Sequence, residues 1–207
     1  MKIIVASGNI GKISEIKSIF PGVNIIPYFD LIEKISITED ADTFEGNAIK
    51  KALCIYDKLS SKMGDDDYIL SDDSGISVEV LGGEPGIYSA RYATLHNKNV
   101  SDKNTSSIDN INTLIANLKS KKVSSSKAFY TAILVLVNSK GDYKCFDGYM
   151  HGAVICETRG NNGFGYDPIF IPDGHNDTLG QMSFTQKQEL SHRYKALVKI
   201  KQELFPS

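Results

Sequence analysis

The chain has 207 residues, of which 41% are hydrophobic and 23% are charged, a composition typical of a soluble globular protein with one substantial core. Its formal net charge of −2 argues against a globally basic surface that binds nucleic acid. No apolar run approaches the roughly 20 residues that cross a bilayer, so no membrane partner is predicted. The three cysteines form no Cys-x-x-Cys pair, which favours a reducing, cytoplasmic location over a disulfide framework or a zinc site.

The chain opens with a predicted strand, a polar turn and a predicted helix. Residues 3–6 are apolar and mostly β-branched, which predicts a buried strand, and the turn-forming residues 7–9 end it. Isoleucines then recur at helical spacing over 13–20 until a Pro-Gly pair ends the pattern. Residues 24–27 predict a second strand.

A second helical pattern and two further strands follow. Apolar residues recur at helical spacing over 44–59, and Asp42, with a glutamate three positions later, resembles a capping box at the start of this helix. Residues 68–70 predict a strand that runs into a polar turn at 71–75. Alternating apolar residues over 76–80 predict another strand after that turn.

The second half of the chain is richer in strands. Residues 108–118 predict a helix, and the Lys/Ser-rich residues 120–127 predict a solvated loop. The C-terminal residues 190–205 predict one helix with an apolar face. Strands are predicted over 129–137, 143–150 and 153–157. The whole pattern predicts a mixed α/β fold, a single domain over 1–207, with a largely continuous sheet.

The first candidate site is the turn Ser7-Gly8-Asn9-Ile10-Gly11-Lys12, between a predicted strand and a predicted helix. A helix N-terminus presents unpaired N–H groups and a partial positive charge, which favour a phosphate, and Lys12 adds a full charge. The segment is not a P-loop, because Ala6 and Ile13 occupy two of the required positions. An ordinary turn with an exposed lysine explains this segment alone equally well.

The second candidate site is Asp72-Asp73-Ser74-Gly75, which follows an apolar run. Two carboxylates at a strand end can hold Mg²⁺ and orient a water molecule. Glu39 and Asp40, in a polar loop, could supply another ligand. A solvated turn built on aspartate side chains is the alternative.

Two further segments can contact a nucleotide. Gly163-Phe164-Gly165-Tyr166-Asp167-Pro168 places aromatic rings between glycines, where a ring can stack on a purine. Lys187 can neutralise a phosphate, and His192 and Arg193 can donate hydrogen bonds to a base carbonyl. The alternatives are a tight turn with buried rings and a polar helix face.

Taken together, these segments closely resemble the inosine triphosphate pyrophosphatase family. The resemblance runs from Ser7 to Arg193 and is weakest over the polar stretch 97–127. The resembling segments are 7–12, 43–48 with Lys51, 72–75, 81–92, 163–170, Lys187 and 191–193.

The resemblance implies an elongated two-lobed α/β fold around a long mixed sheet, with the active site in the cleft between the lobes. It implies hydrolysis of non-standard purine nucleoside triphosphates (ITP, dITP and XTP) to the monophosphate and pyrophosphate, which cleanses the nucleotide pool. Members of the family are commonly homodimers.

The resemblance also assigns roles to individual residues. Glu39 and Asp73 would hold Mg²⁺, and Asp73 would accept a proton from the attacking water; Asp40, beside Glu39, is the alternative ligand. The residues that would bind the triphosphate are Ser7, Gly8, Asn9, Ile10, Gly11, Lys12, Lys51 and Lys187. Those that would bind the nucleoside are Ser74, Phe164, Gly165, Tyr166, Asp167, His192 and Arg193.

A specificity hypothesis follows from base chemistry. Inosine and xanthosine carry an acceptor at purine position six, whereas adenosine carries a donor there. Donors from His192 or Arg193 would therefore face a donor of adenine, and an unpaired buried polar group costs about 1–3 kcal/mol. Guanine shares the carbonyl and must be rejected at its 2-amino group.

Three competing functions are weaker. A related pyrophosphatase for pyrimidine or modified nucleotides is disfavoured by the long resemblance through 81–92 and at 191–193. A Nudix hydrolase is disfavoured because no arginine here is followed by glutamate. A nucleotide-binding module without turnover would not need the carboxylates at Glu39, Asp72 and Asp73.

Overall fold

The structure is a computed structural model that describes residues 1–95 and 105–206, so the start of the weakly resembling stretch 97–127 lies outside the described residues. The chain divides into two compact units. Unit 1 comprises Met1–Asp73, Ala132–Gly148 and His192–Ser207, and unit 2 comprises Ser74–Thr131 and Tyr149–Ser191. The expectation of a single domain over 1–207 stays a prediction.

Six strands and five α-helices make up the described chain. The strands are β1 (Lys2–Val5), β2 (Asn24–Pro27), β3 (Tyr68–Val78), β4 (Ser125–Asn138), β5 (Tyr143–Ile155) and β6 (Phe170–Pro172). The helices are α1 (Ile10–Ile19), α2 (Phe44–Leu59), α3 (Ser107–Ser120), α4 (Phe184–Leu190) and α5 (His192–Leu204). Short 3₁₀ turns lie at Tyr28–Asp30, Ser60–Lys62, Glu79–Leu81, Gly86–Thr94 and Asp167–Ile169.

The strands form one mixed sheet in the order β2-β1-β3-β4-β5-β6. β1 pairs in parallel with β2 and with β3, and β5 pairs antiparallel with β6. Parallel neighbours need crossover connections, which α1 and α2 supply. The predicted mixed α/β fold is therefore confirmed.

The core of unit 1 has two sides because successive strand residues point to opposite faces of a sheet. Ile3, Val5 and Leu70 pack with α1 and α5 on one face. Ile4 and Ile69 pack with α2 on the other. Within unit 1 this alternation also fixes where the next residues of β3 point: Asp72 faces α1 and α5, and Asp73 faces α2.

The core of unit 2 is a separate cluster that packs α3 against the strand residues of this unit. Leu114 and Leu118 of α3 contact the cluster that contains Tyr92 and Phe170. Tyr92 is fully buried, and its hydroxyl accepts a hydrogen bond from the Asn117 side chain (2.7 Å). This contact holds the segment Gly86–Thr94 against α3.

The polar turn predicted at 71–75 is wrong, because β3 continues without interruption to Val78. Aspartate and glycine are depleted in strands, so the sequence indicates a break there. Tertiary contacts overcome this preference: Ser71 donates a hydrogen bond to the Ala48 carbonyl (2.6 Å), and Asp72 and Asp73 are paired with cations. The carboxylates therefore lie within a strand rather than after its end.

The predicted strand breaks in the second half are also wrong. β4 begins at Ser125, inside the predicted solvated loop 120–127. The two strands predicted over 143–150 and 153–157 are one strand, β5. Gly152 lies within it at a close approach to β6, since a Cβ there would meet the Ile171 carbonyl oxygen at 2.2 Å. Glycine marks tight packing here and not a turn.

Two helix boundaries differ from prediction. The N-cap of α2 is Thr43, whose side chain accepts from the Gly46 N–H (3.0 Å), so the predicted capping box at Asp42 is wrong. The single C-terminal helix predicted over 190–205 is two helices, α4 and α5, which are separated by Ser191 in an extended conformation. Among residues 1–95 and 105–206, no helix is long and apolar enough to span a membrane.

We expect Gly152→Ala to destabilise the protein by about 3 kcal/mol, because the new methyl group would overlap the Ile171 carbonyl and the Phe170 ring. Chemical denaturation of the purified proteins measures the change. Gly174→Ala is the control, since a Cβ there meets nothing within 4 Å and only a φ of +79° opposes it. Equal destabilisation by both substitutions would contradict the close-approach explanation.

Candidate active site

The sequence-predicted phosphate turn lies between β1 and α1 in unit 1. The Asn9 side chain caps α1 by accepting from the Lys12 N–H (3.1 Å), and the Ser7 hydroxyl accepts from the Asn9 N–H (3.2 Å). The first N–H groups of a helix have no intrahelical acceptor, and this cap serves only Lys12. The N–H groups of Ile10 and Gly11 remain at a helix end that carries partial positive charge.

Asp72 and Asp73 are adjacent in sequence but face opposite sides of the sheet. Asp72 points toward α1 and α5, where Lys12 binds one carboxylate oxygen and the Nε of Arg193 donates to the other (2.6 Å). Arg193 also donates from Nη1 to Glu15 of α1. Both oxygens of Asp72 are thus bonded to cations in a buried cluster.

The charges of this cluster shift the pKa values of its members. Burial alone would raise the pKa of Asp72, but Arg193 and Lys12 outweigh it and hold that pKa far below its usual range. Burial lowers the pKa of Lys12, and Asp72 offsets only part of this effect. Asp72 therefore stays ionised and acts as the counter-ion of Lys12 and Arg193.

Asp73 faces α2, where it meets Lys51 and Glu39. The Lys51 ammonium lies 2.7 Å from Oδ1 of Asp73 and 3.4 Å from Oε2 of Glu39. The neighbouring Asp40 is exposed and pairs with Lys50 instead. Glu39, and not Asp40, converges with Asp73 on one cation.

The electrostatics of Asp73 differ from those of Asp72. Burial raises the pKa of Asp73 to about 6, although Lys51 and Lys12 act in the opposite direction. Burial lowers the pKa of Lys51, but Asp73 and Glu39 outweigh it and the net shift is upward. A carboxyl group with a pKa near neutrality can accept a proton at physiological pH.

The residues around Asp73 fit a magnesium ion. Within 1–95 and 105–206, the buried Oδ2 of Asp73 has no hydrogen-bond partner, which leaves an oxygen donor available. No cluster of three or more His, Cys, Asp and Glu side chains suited to a metal occurs in the same residues. Mg²⁺ commonly takes only one or two carboxylates and completes its shell with water and substrate phosphates, so Asp73 and Glu39 suffice.

Unit 2 contains a second cluster, around Asp167. Its Oδ2 accepts from the Phe164 N–H (2.8 Å) and from the Lys187 ammonium (2.7 Å). The same ammonium lies 4.3 Å from the centroid of the Phe164 ring. The glycine-rich turn thus wraps around a carboxylate, since a Cβ at Gly163 would lie 2.0 Å from Oδ2 of Asp167.

The two aromatic rings of this turn lie in different environments. Tyr166 is 4% exposed and donates from its hydroxyl to the Ser89 carbonyl (2.8 Å), within the core of unit 2. Phe164 is half-buried. Of the two rings, Phe164 is therefore the more accessible, and Tyr166 is buried, as the alternative of a tight turn with buried rings predicts.

The remaining residues that the resemblance assigns to the nucleoside lie in polar or buried surroundings. Ser74 is half-buried on β3, and His192 is buried at the start of α5. Arg193 is 1% exposed, and its Nε and Nη1 donate to carboxylates rather than toward a ligand. Contacts of these residues and of Gly165 with a base stay predictions.

Glu15 is a residue of this cluster that the sequence interpretation missed. It is buried on α1 and pairs with Arg193, which also binds Asp72. The available signal was its position between the buried isoleucines at 13 and 16, where an acidic side chain requires a buried cation. Glu15 lies about one helical turn after Lys12 in α1, so both residues are on the same side of this helix.

The sequence of this chain is similar to those of known proteins. The sequence model of the Ham1 family matches residues 3–203. A protein of Nautilia profundicola named dITP/XTP pyrophosphatase is 51% identical over 197 residues, covering 95% of this chain and 94% of that protein. One of Sulfurimonas denitrificans with the same name is 47% identical over 201 residues, covering 95% of each chain.

Solved structures of known proteins are also similar to this chain. The Ham1 protein of Staphylococcus aureus superposes with a TM-score of 0.80 at 35% identity, covering 99% of this chain and 98% of that one. A HAM1 protein of Coxiella burnetii gives a TM-score of 0.82 at 29% identity with the same coverage. These matches confirm the resemblance that the sequence motifs indicated. The chain belongs to the Ham1 family.

Proposed function

We propose that this protein is a magnesium-dependent nucleoside triphosphate pyrophosphatase that hydrolyses ITP, dITP and XTP to the monophosphate and pyrophosphate, and so removes them from the nucleotide pool. The names of its relatives support this substrate class. The observation that carries the proposal is the convergence of Asp73 and Glu39 on the ammonium of Lys51, beside a buried oxygen of Asp73 that has no partner among the described residues. Two acidic side chains held together in this way form a cation site.

Asp73 and Glu39 would hold the Mg²⁺. When bound there, the ion supplies neutralisation of phosphate charge and polarisation of a phosphoryl oxygen. The Lys51 ammonium, which contacts both carboxylates, would then turn to bind a phosphate oxygen of the substrate. With Mg²⁺ in place of Lys51, the two carboxylates would still have a cationic partner, as the buried Asp73 in particular requires.

The phosphates would bind at the turn Ser7–Lys12. The free N–H groups at the start of α1 donate to phosphate oxygens, and Lys12 adds a point charge. Arg193 contributes indirectly, because it neutralises Asp72 and so allows Lys12 to turn from that carboxylate toward a phosphate. Lys187 is a further proposed phosphate contact.

Asp73 would accept the proton of the attacking water at the α-phosphate. Its raised pKa results mainly from burial, which also strengthens its action as a base at neutral pH. The P–O bond to the β-phosphate breaks as the water oxygen bonds to the α-phosphorus, and pyrophosphate leaves. The monophosphate carries the new oxygen.

The first proposed nucleoside contact is Phe164, in the glycine-rich turn 163–168. Phe164 offers a ring face for the purine, and its ring is held by the Lys187 ammonium. The other proposed contacts are Ser74, Gly165, Tyr166, Asp167, His192 and Arg193.

We also propose that the protein is cytoplasmic and forms a homodimer. Analytical ultracentrifugation measures the oligomeric state.

The test of this function is the release of products from a panel of triphosphates, with 5′-products identified by chromatography. We expect pyrophosphate from ITP, dITP and XTP at rates at least about a hundredfold above those from ATP, GTP, CTP and UTP. Removal of Mg²⁺ with a chelator should abolish the release. Orthophosphate as the product, or a preference for a common nucleotide, would contradict the proposed reaction or the proposed substrates respectively.

A further inference from the structure

Lys34 lies at the phosphate turn although it belongs to none of the segments that carry the family resemblance. Its Cε and Nζ are 3.6 and 3.7 Å from the point that a Cβ on Gly8 would occupy. The end of the Lys34 side chain therefore lies within van der Waals distance of the turn at Gly8. Both residues belong to unit 1.

The backbone around Lys34 is anchored to the core of unit 1. The Tyr28 hydroxyl donates to the Ile35 carbonyl (3.2 Å), and the Ile32 N–H donates to the Tyr28 carbonyl (3.1 Å). Ile32 and Ile35 both pack against the cluster that includes α2. Lys34 thus projects from a loop that is anchored on each side of it, so the fold sets the position of its backbone.

The ion pairs of unit 1 carry an excess of negative charge near the phosphate turn and Asp73. Around the turn and Asp73, the ion pairs join three cations to four carboxylates, a net charge of −1. These groups are Lys12, Lys51, Arg193, Glu15, Glu39, Asp72 and Asp73. A triphosphate is a polyanion and needs cationic partners. The lysines predicted to bind it, Lys12 and Lys51, already form ion pairs with Asp72 and Asp73.

Lys34 is different in this respect. It is exposed, and within the described residues it has neither a hydrogen bond nor an ion pair. Its charge is therefore uncompensated in the substrate-free protein. A lysine with these properties, held beside a helix N-terminus, can bind a phosphate oxygen without first breaking another contact.

We propose that Lys34 is a further phosphate-binding residue, which contacts the polyphosphate chain of the substrate over Gly8. This inference rests on the proposed function for the identity of the substrate. It assigns Lys34 to binding and not to the chemical step, because the residue lies at the turn and not at Asp73. The ligand chemistry that it recognises is a linear polyphosphate, with or without a nucleoside.

The test compares Lys34→Met with Lys17→Met. Lys17 is an exposed lysine in the last turn of α1, so its removal changes the net charge equally but at the far end of the helix. We expect Lys34→Met to raise the KM for dITP about tenfold at low ionic strength, with kcat changed less than twofold. Lys17→Met should leave both constants unchanged, and Lys34→Arg should restore most of the affinity.

A second measurement separates this inference from the proposed function. Isothermal titration with inorganic tripolyphosphate, which has no base and needs no turnover, should show the same tenfold weakening in Lys34→Met. If the wild type fails to hydrolyse dITP but Lys34→Met still weakens tripolyphosphate binding, only the proposed function is contradicted. If dITP is hydrolysed and both lysine variants behave alike in KM and in titration, the role of Lys34 is overturned.

Discussion

The Asp73→Asn variant is expected to release pyrophosphate from dITP about a thousandfold more slowly than the wild type. Asparagine keeps the size of the side chain but cannot accept the proton of the attacking water, a contribution that is commonly 10²–10⁴-fold. It also removes one of the two carboxylates that converge at Lys51. Initial rates at saturating substrate over a range of Mg²⁺ concentrations measure the loss.

Asp40→Asn is the matched control for this experiment. Asp40 adjoins Glu39 in sequence, yet it is exposed and pairs with Lys50 rather than with Lys51. We expect its rate to stay within about twofold of the wild type, because exposed ion pairs contribute little. A large loss in Asp40→Asn with a small one in Glu39→Gln would show that the second metal ligand is Asp40.

A second large effect is expected from Arg193→Met, which should lower the free energy of unfolding by about 3–5 kcal/mol. Methionine fills a similar volume but leaves Glu15 without its cation and Asp72 with Lys12 alone. Breaking a buried ion pair on one side leaves an uncompensated charge in a site of low polarity. Urea denaturation followed by circular dichroism measures the change.

Arg159→Met provides the comparison, because Arg159 also forms a hydrogen-bonded pair with a carboxylate, that of Glu157. Its side chain is 43% exposed, whereas that of Arg193 is 1% exposed. We expect a loss below about 1 kcal/mol for the exposed pair. Similar losses in both variants would mean that burial does not determine the contribution of Arg193.

The pH dependence of stability gives an independent check of the same cluster. The pKa of Asp72 is lowered in the folded protein, so its ionised form stabilises the fold. This contribution is complete above the ordinary pKa of 3.8 and is lost as the pH falls below that value toward the lowered folded pKa. The stability difference between wild type and Arg193→Met should therefore be largest at neutral pH and shrink below about pH 4.

Local patterns in the sequence were sufficient for much of the fold. The predicted strand at 24–27 has the bounds of β2, and the predicted helix at 44–59 has those of α2. Both are confirmed because residues 24–27 contain two adjacent β-branched residues beside turn-forming neighbours, and residues 44–59 have a helical hydrophobic period. The phosphate turn was likewise located correctly between a strand and a helix, because Ser-Gly-Asn after an apolar run indicates a turn at the end of a strand.

Long-range contacts account for what the sequence could not predict. A strand that runs through Asp72 and Asp73 is stable only because Lys12, Lys51 and Arg193 neutralise them, and these cations are distant in sequence from the aspartates. The close approach at Gly152 depends on β6 in the same way. Lys34 carries no motif, and its position at Gly8 follows only from the anchored loop.

The alternation along β3 has a consequence for how this gene can vary over evolutionary time. Inserting or deleting one residue between Tyr68 and Asp72 would reverse the face of every later side chain in the strand. Asp73 would then turn toward Arg193, and Asp72 toward Lys51, even though every acidic residue remained in place. Single-codon length changes in this strand should therefore be absent from functional descendants, while length changes in the exposed loops of the same unit are tolerated.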